Sequence, residues 1–224
     1  MPSEATAIRN RVLSVLQPGH GAEPPAKWQQ RKSAKMRERL VSAAVDCLVR
    51  DGYPGLTTAA VATSSGVSRG AMHHHFQTRM ELVAAVVDHV VYHRIRTFLA
   101  DYFDAIEGRS SEPLIELACE AHWRSVQTAD YAAWLELVVA ARTDAELAAI
   151  FHPAARRVDE VWISEMIEAF PQWKDHWDLL KLANDFTNAM HMGMLLHAPD
   201  WTAERMERLR AFAARTMQEL YERR

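Results

Sequence analysis

Disulfide chemistry has little to work with in this 224-residue chain, which holds two cysteines, Cys47 and Cys119, and no Cys-x-x-Cys spacing. A stapled secreted framework is thereby excluded, and a reduced intracellular setting fits. No stretch reaches the roughly 18 apolar residues of a membrane-spanning helix. The opening MPSEATAIRN has neither the compact apolar core nor the small-residue cleavage site of a secretory signal, so the expectation is a cytoplasmic protein without a membrane partner. Alternating strand patterns and internal repeats are missing too, which removes the sheet classes and the solenoids.

What is present is an ordinary soluble composition, 49% hydrophobic and 25% charged, laid out with helical periodicity. The expected class is all-α. The net charge of −3 is unevenly distributed. Residues 27–79 carry nine basic side chains (Lys27, Arg31, Lys32, Lys35, Arg37, Arg39, Arg50, Arg69, Arg79) against Glu38, Asp46 and Asp51, a net of +6. Because residues 1–26 balance, residues 80–224 carry −9. A basic segment on an acidic body suggests a polyanion-binding module joined to something else.

Pro18, Gly19, Gly21, Pro24 and Pro25 break any regular element, so residues 1–26 are expected to form a flexible extension, with room for a short helix at 4–16. Leu40, Ala43, Ala44, Cys47 and Leu48 recur at i, i+3, i+4, i+7 and i+8, the stripe of a helix from about Ser33 to Asp51 that Gly52 ends. Thr57 can cap a short second helix that Gly66 ends, and Ser68 a third reaching about Phe76. A long fourth helix begins near Met80 and runs to about Ile106. Further helices are predicted at 112–127, 130–141, 143–151, 154–170, 176–197 and 202–222, with Pro113, Pro153, Pro171 and Pro199 at the breaks.

Helix, tight turn, short helix is the layout of a helix-turn-helix, whose second helix enters the DNA major groove. In SRGAMHHHF, Met72 and Phe76 stand at i, i+4 and can face a core, which leaves Arg69, Ala71, His73 and His74 directed outward. Successive helical residues point about 100° apart, so His73, His74 and His75 cannot converge on one metal, and a metal site is not expected. Nor does a nucleophile pattern or paired acid accompany them, so no catalytic residue, cofactor or enzyme activity is expected.

The run GLTTAAVATSSGVSRGAMHHHFQTRMELVAAVV, from Gly55 to Val87, closely resembles the DNA-binding signature of the TetR/AcrR family of bacterial transcriptional regulators. The resemblance covers about residues 33–87. It implies a three-helix DNA-binding domain over residues 27–79 and a helical ligand-binding and dimerisation domain over 80–224. It also puts Thr58, Ser68, Arg69, Gly70, Ala71, His73, His74 and His75 at DNA-contacting positions, and Arg79 on a phosphate where the family usually has lysine. Arginine can bind guanine through two hydrogen bonds, which makes Arg69 the first choice for a base reader. Gly70 lets the backbone come close. His73 stands where the family commonly has tyrosine, and Ala59 is small where some members read a base. Imidazoles facing phosphate at His73 or His75 would strengthen DNA binding from pH 8 to pH 6.

For the remainder, residue pattern has to serve. Leu179, Leu182, Ala183, Phe186, Met190, Gly193 and Met194 form one apolar stripe, and Met206, Leu209, Ala213, Met217 and Leu220 another. Two such helices from each protomer would make a homodimer interface, as the resemblance implies. A pocket for a small apolar or aromatic effector is expected among Trp123, Tyr131, Trp134, Trp162, Met166, Phe186, Met190 and Met194, because aromatic and methionine linings suit such ligands. His122, Glu136, Arg142, His152 and His191 are candidate polar groups to orient it. The functional expectation is a repressor on a pseudo-palindromic operator, released by its effector. Activation, or metal response through the i, i+4 pair His89 and His93, are the alternatives of the same fold. An enzyme using His122 with Glu120 or Glu136 is the alternative of another class.

Overall fold

A computed structural model describes residues 4–18, 28–106, 114–169 and 175–222. Among the described residues every regular element is helical: α1 (Glu4–Leu16), α2 (Trp28–Gly55), α3 (Thr58–Ser65), α4 (Arg69–His75), α5 (Arg79–Ile106), α6 (Leu114–Val126), α7 (Ala129–Ala141), α8 (Ala145–Ala169), α9 (Trp177–His197) and α10 (Ala203–Glu222). No described helix is long and apolar enough to cross a membrane.

The chain divides into two compact units, residues 14–94 with 129–159, and residues 1–13 with 95–128 and 160–224. The division falls inside α1, α5 and α8. In the unit that holds α3 and α4, α2 packs against α3 and α7. Its core draws on Leu40, Ala44, Cys47 and Leu48, all inaccessible to solvent, together with Leu56, Val61, Met72, Phe76, Leu82 and Leu137. The expected stripe of α2 is therefore the buried one. The helix geometry breaks at Gly52, whose φ of 68° is a left-handed value that glycine adopts without strain.

The other unit is built from α6, α9 and α10 packed on one another, with the end of α5, the end of α8 and the start of α1. Here α1 contributes buried Val12, and Arg11 bonds to Glu165 and, at 2.8 Å, to Glu168. The expected short helix at 4–16 is thus formed and paired to α8. The proline- and glycine-rich part of the expected extension, residues 19–26, lies outside the described residues.

One break read from the sequence is absent. α8 runs without interruption through Pro153. Proline removes one backbone bond, to the carbonyl of Ala149, and both residues are exposed, so water can satisfy that carbonyl. Meanwhile Leu147, Phe151 and Val158 are buried on the inner side and hold the helix together.

Candidate nucleic-acid interface

The turn between α3 and α4 is specified by local chemistry. The Thr57 hydroxyl accepts from Ala60 N at 3.1 Å and starts α3. Gly66 ends it at φ 68°, ψ 30°, with Gly66 N and Val67 N donating to the carbonyls of Thr63 and Ala62. Ser68 then caps α4 through its hydroxyl, which accepts from Ala71 N at 3.1 Å. Downstream, Thr78 accepts from Glu81 N at 3.1 Å and caps α5, while the Glu81 carboxylate accepts from Gln77 N at 2.8 Å.

Met72 and Phe76 are 1% and 0% exposed. With those two anchors inside, α4 turns Ser68, Arg69, Gly70, His73 and His74 to solvent, while Ala71 and His75 are half-buried at the edges. Thr58, in the first turn of α3, is also half-buried. Two α2 arginines brace the motif from behind. Arg37 lies 4.2 Å over the Phe76 ring and donates to the His75 carbonyl at 3.1 Å, and Arg39 donates to the Ser65 carbonyl. His75 feels this setting: burial, then His74 and Arg37, push its pKa below the ordinary imidazole value. Its share in any strengthening of DNA binding toward pH 6 shrinks accordingly.

Arg79 has a different place from the one expected. Its guanidinium donates to the Leu56 carbonyl at 2.7 Å, the Tyr53 carbonyl at 2.9 Å and the Tyr53 hydroxyl at 3.1 Å, and lies 4.3 Å over the Tyr53 ring. With each of its three nitrogens bonded internally, it ties the start of α5 to the end of α2 and to Leu56 just beyond it.

A family model described as "Bacterial regulatory proteins, tetR family" matches residues 40–86, the stretch that contains α3 and α4 entire. Residues 40–86 are a TetR-family DNA-binding region. Over 198 residues this regulator is 27% identical to an uncharacterized HTH-type transcriptional regulator of Mycobacterium tuberculosis, covering 83% of this chain and 96% of the relative. It is 25% identical over 205 residues to the HTH-type transcriptional regulator CymR of Pseudomonas putida, covering 88% and 97%. A TetR-family member from Streptomyces coelicolor superposes with a TM-score of 0.59 at 18% identity, covering 82% of this chain and 96% of that one. The multidrug binding protein EbrR, solved in complex with malachite green, superposes at 0.56 and 17% identity over the same shares. The family is one of transcriptional regulators with a DNA-binding helix-turn-helix, and its members are not enzymes.

The eight residues expected around an effector fall into two groups. Tyr131 and Trp134 belong to the unit of α3 and α4, with ring centroids 5.0 Å apart. Trp123, Trp162, Met166, Phe186, Met190 and Met194 belong to the other unit. There, Phe98 sits edge-on to Trp162 at 5.5 Å and to His122 at 6.0 Å, and Trp123 lies 5.3 Å from the ring of His191. Met166 and Met194 are buried, Met190 half-buried, and Phe186 is 41% exposed on the outer side of α9.

His122 and His191, two of the expected polar groups, meet through their Nδ1 atoms at 2.8 Å, so one ring donates and the other accepts. His191 is 1% exposed, and burial, reinforced by the charge of Arg210, lowers its pKa to about 4. Arg210 in turn pairs with Glu120 at 3.0 Å and with Glu207. His89 and His93 stack at 3.9 Å, and His89 Nε2 lies 3.7 Å from Asp130. Neither Phe98 nor Arg94 was singled out from sequence. Arg94 was legible, because it continues the buried face of α5 drawn by Val83, Val87 and Val90 at helical spacing.

Proposed function

We propose that this regulator is a cytoplasmic, homodimeric repressor that binds a pseudo-palindromic operator and leaves it when a small, largely apolar or aromatic effector binds. The observation that carries DNA recognition is the two-sided α4: Met72 and Phe76 inward, Arg69, Gly70, His73 and His74 outward. In this assignment Arg69 reads a base edge. Ser68, Gly70, Ala71, His73 and His74 lie along the groove, and Thr58 and His75 at its rim. Arg79 acts from within by fixing the start of α5.

Dimerisation is supported by the outer side of α9, where Leu182 and Phe186 are 62% and 41% exposed, Leu196 is 57% exposed, and a Cβ added at Gly193 would meet nothing. Their spacing places them on one helical face, and Phe212 of α10 adds a further exposed ring. Covering this face with a second copy would give the four-helix packing of an isologous dimer. Two recognition helices would then stand about 34–36 Å apart, one turn of DNA.

An effector bound beside α5 would bias a two-state rearrangement of that helix, whose first residue is the locked Arg79. Coupling of about 1–3 kcal/mol would change operator affinity roughly 5- to 150-fold. The test is selection of bound sequences from random duplex DNA. A two-fold symmetric consensus with one helical turn between half-sites is expected. A single unrepeated half-site, or no enrichment, would contradict the proposal.

A further inference from the structure

The sequence run VVYHRIR puts an arginine where the buried face of α5 predicts an aliphatic residue, and the structure leaves that arginine without an acid. Arg94 Nε is shielded from solvent and bonds to nothing, and among the described residues no hydrogen bond or ion pair reaches its guanidinium. Its contacts are aromatic: the guanidinium carbon lies 4.4 Å from the centroid of Trp134 and 5.8 Å from that of Tyr131. Trp134 shows the same deficit, since its indole Nε1 is also shielded and unbonded. Asp130, one turn before Trp134 on α7, is placed against His89 instead, at 3.7 Å.

Two buried donors without acceptors, side by side in one aromatic cluster, are uncommon in a folded protein and call for an explanation. Stacking on rings partly compensates the cation, yet a guanidinium held over a ring still has five in-plane N–H donors to satisfy. Desolvation dominates at Arg94 and lowers its pKa, with only the Tyr131 phenol acting in the other direction. An arginine of this kind is suited to a planar two-oxygen acceptor, which it binds through two parallel hydrogen bonds, and the indole N–H can supply a third. The adjoining ring faces of Tyr131 and Trp134 suit an aromatic or aliphatic body attached to that acceptor.

We propose that Arg94 and Trp134 receive the carboxylate of an aromatic or aliphatic carboxylic acid, and that this regulator's effector belongs to that class. The proposal rests on the effector-responsive function above and deepens it. The cluster explains both orphaned donors by one ligand group, and it assigns charge recognition to α5 and ring contact to α7.

The test uses the full chain and three matched probe pairs, benzoate and benzamide, 2-naphthoate and 2-naphthamide, octanoate and octanamide, titrated by calorimetry and then added to the operator complex. At least one acid is expected to bind about tenfold or more tighter than its amide. Arg94→Gln is expected to bring the pair within about twofold by weakening the acid far more than the amide, and Trp134→Phe to weaken the acid about threefold. Arg94→Lys serves if the Gln variant does not fold: it keeps the charge, loses the two-pronged geometry, and should weaken the acid at least about threefold. Acids and amides binding alike, no probe binding, or a preference that survives Arg94→Gln would overturn the assignment. An amide that releases DNA as well as its acid would sink the carboxylate site and spare the effector function. An acid that binds through Arg94 without loosening DNA would do the reverse.

Discussion

The helix-turn-helix and the helical region that includes α9 solve the polar-group problem in opposite ways. Between Thr57 and Glu81, helix ends are closed by the side chains of Thr57, Ser68, Thr78 and Glu81, by Gly66, and by Arg37 and Arg39 from α2. What α4 leaves open is only its outward face. Elsewhere the molecule keeps loose ends inside and oily side chains outside: Ser125 Oγ is shielded and unbonded, His191 is buried neutral, and Leu182 and Phe212 are more than half exposed. A motif that presents one rigid surface to a fixed polymer can satisfy everything internally. The exposed apolar face of α9 is the one the proposed dimer would cover.

The comparison can be broken most forcefully at Phe76. Phe76→Ala removes a fully buried ring beneath the recognition helix and should lower stability by about 3–5 kcal/mol, read as a drop in urea midpoint. A loss below about 1 kcal/mol would mean α4 is not anchored by its core face. On the second region, a Leu182→Glu, Phe186→Glu variant should weaken self-association by roughly 2–4 kcal/mol in sedimentation equilibrium, because it would put two charges into a covered face. An unchanged oligomeric state would remove the interface from α9.

A smaller effect is expected at His191. Its pKa is lowered from 6.5 to about 4 in the folded state, so the unfolded chain takes up the proton first as pH falls. Stability is therefore full above about pH 6.5 and is lost progressively down to about pH 4, amounting to about 2 kcal/mol at pH 5. His191→Gln should flatten that part of the pH–stability curve. Identical curves for the two proteins would show that His191 is not held neutral. The smallest effect sharpens the local side of the comparison: Ser68→Ala should cost about 1 kcal/mol through loss of the α4 cap. No change in stability would contradict the capping role of its bond to Ala71 N.

How much of this was legible in the sequence follows the same line. Gly66, Ser68 and the i, i+4 pair Met72 and Phe76 act over a few residues, and their geometry is written in their spacing. Pro153 was misread as a break because its outward orientation depends on what covers Leu147 and Phe151 on the other side. The internal bonds of Arg79 were not legible because its acceptors, Tyr53 and Leu56, lie more than 20 positions away. Arg94 was missed for want of weighing one cation against an otherwise apolar stripe, and its contact with Trp134 is a matter of tertiary packing alone.

The central claim, that α4 offers Arg69 to a DNA groove from an internally anchored helix, is tested most directly by operator binding of Arg69→Ala in fluorescence anisotropy, beside an unrelated duplex. Operator affinity is predicted to fall by about 1–3 kcal/mol, roughly 5- to 150-fold, while the unfolding midpoint is kept and binding to the unrelated duplex changes far less. Undiminished operator binding, or an equal loss on both duplexes, would contradict it.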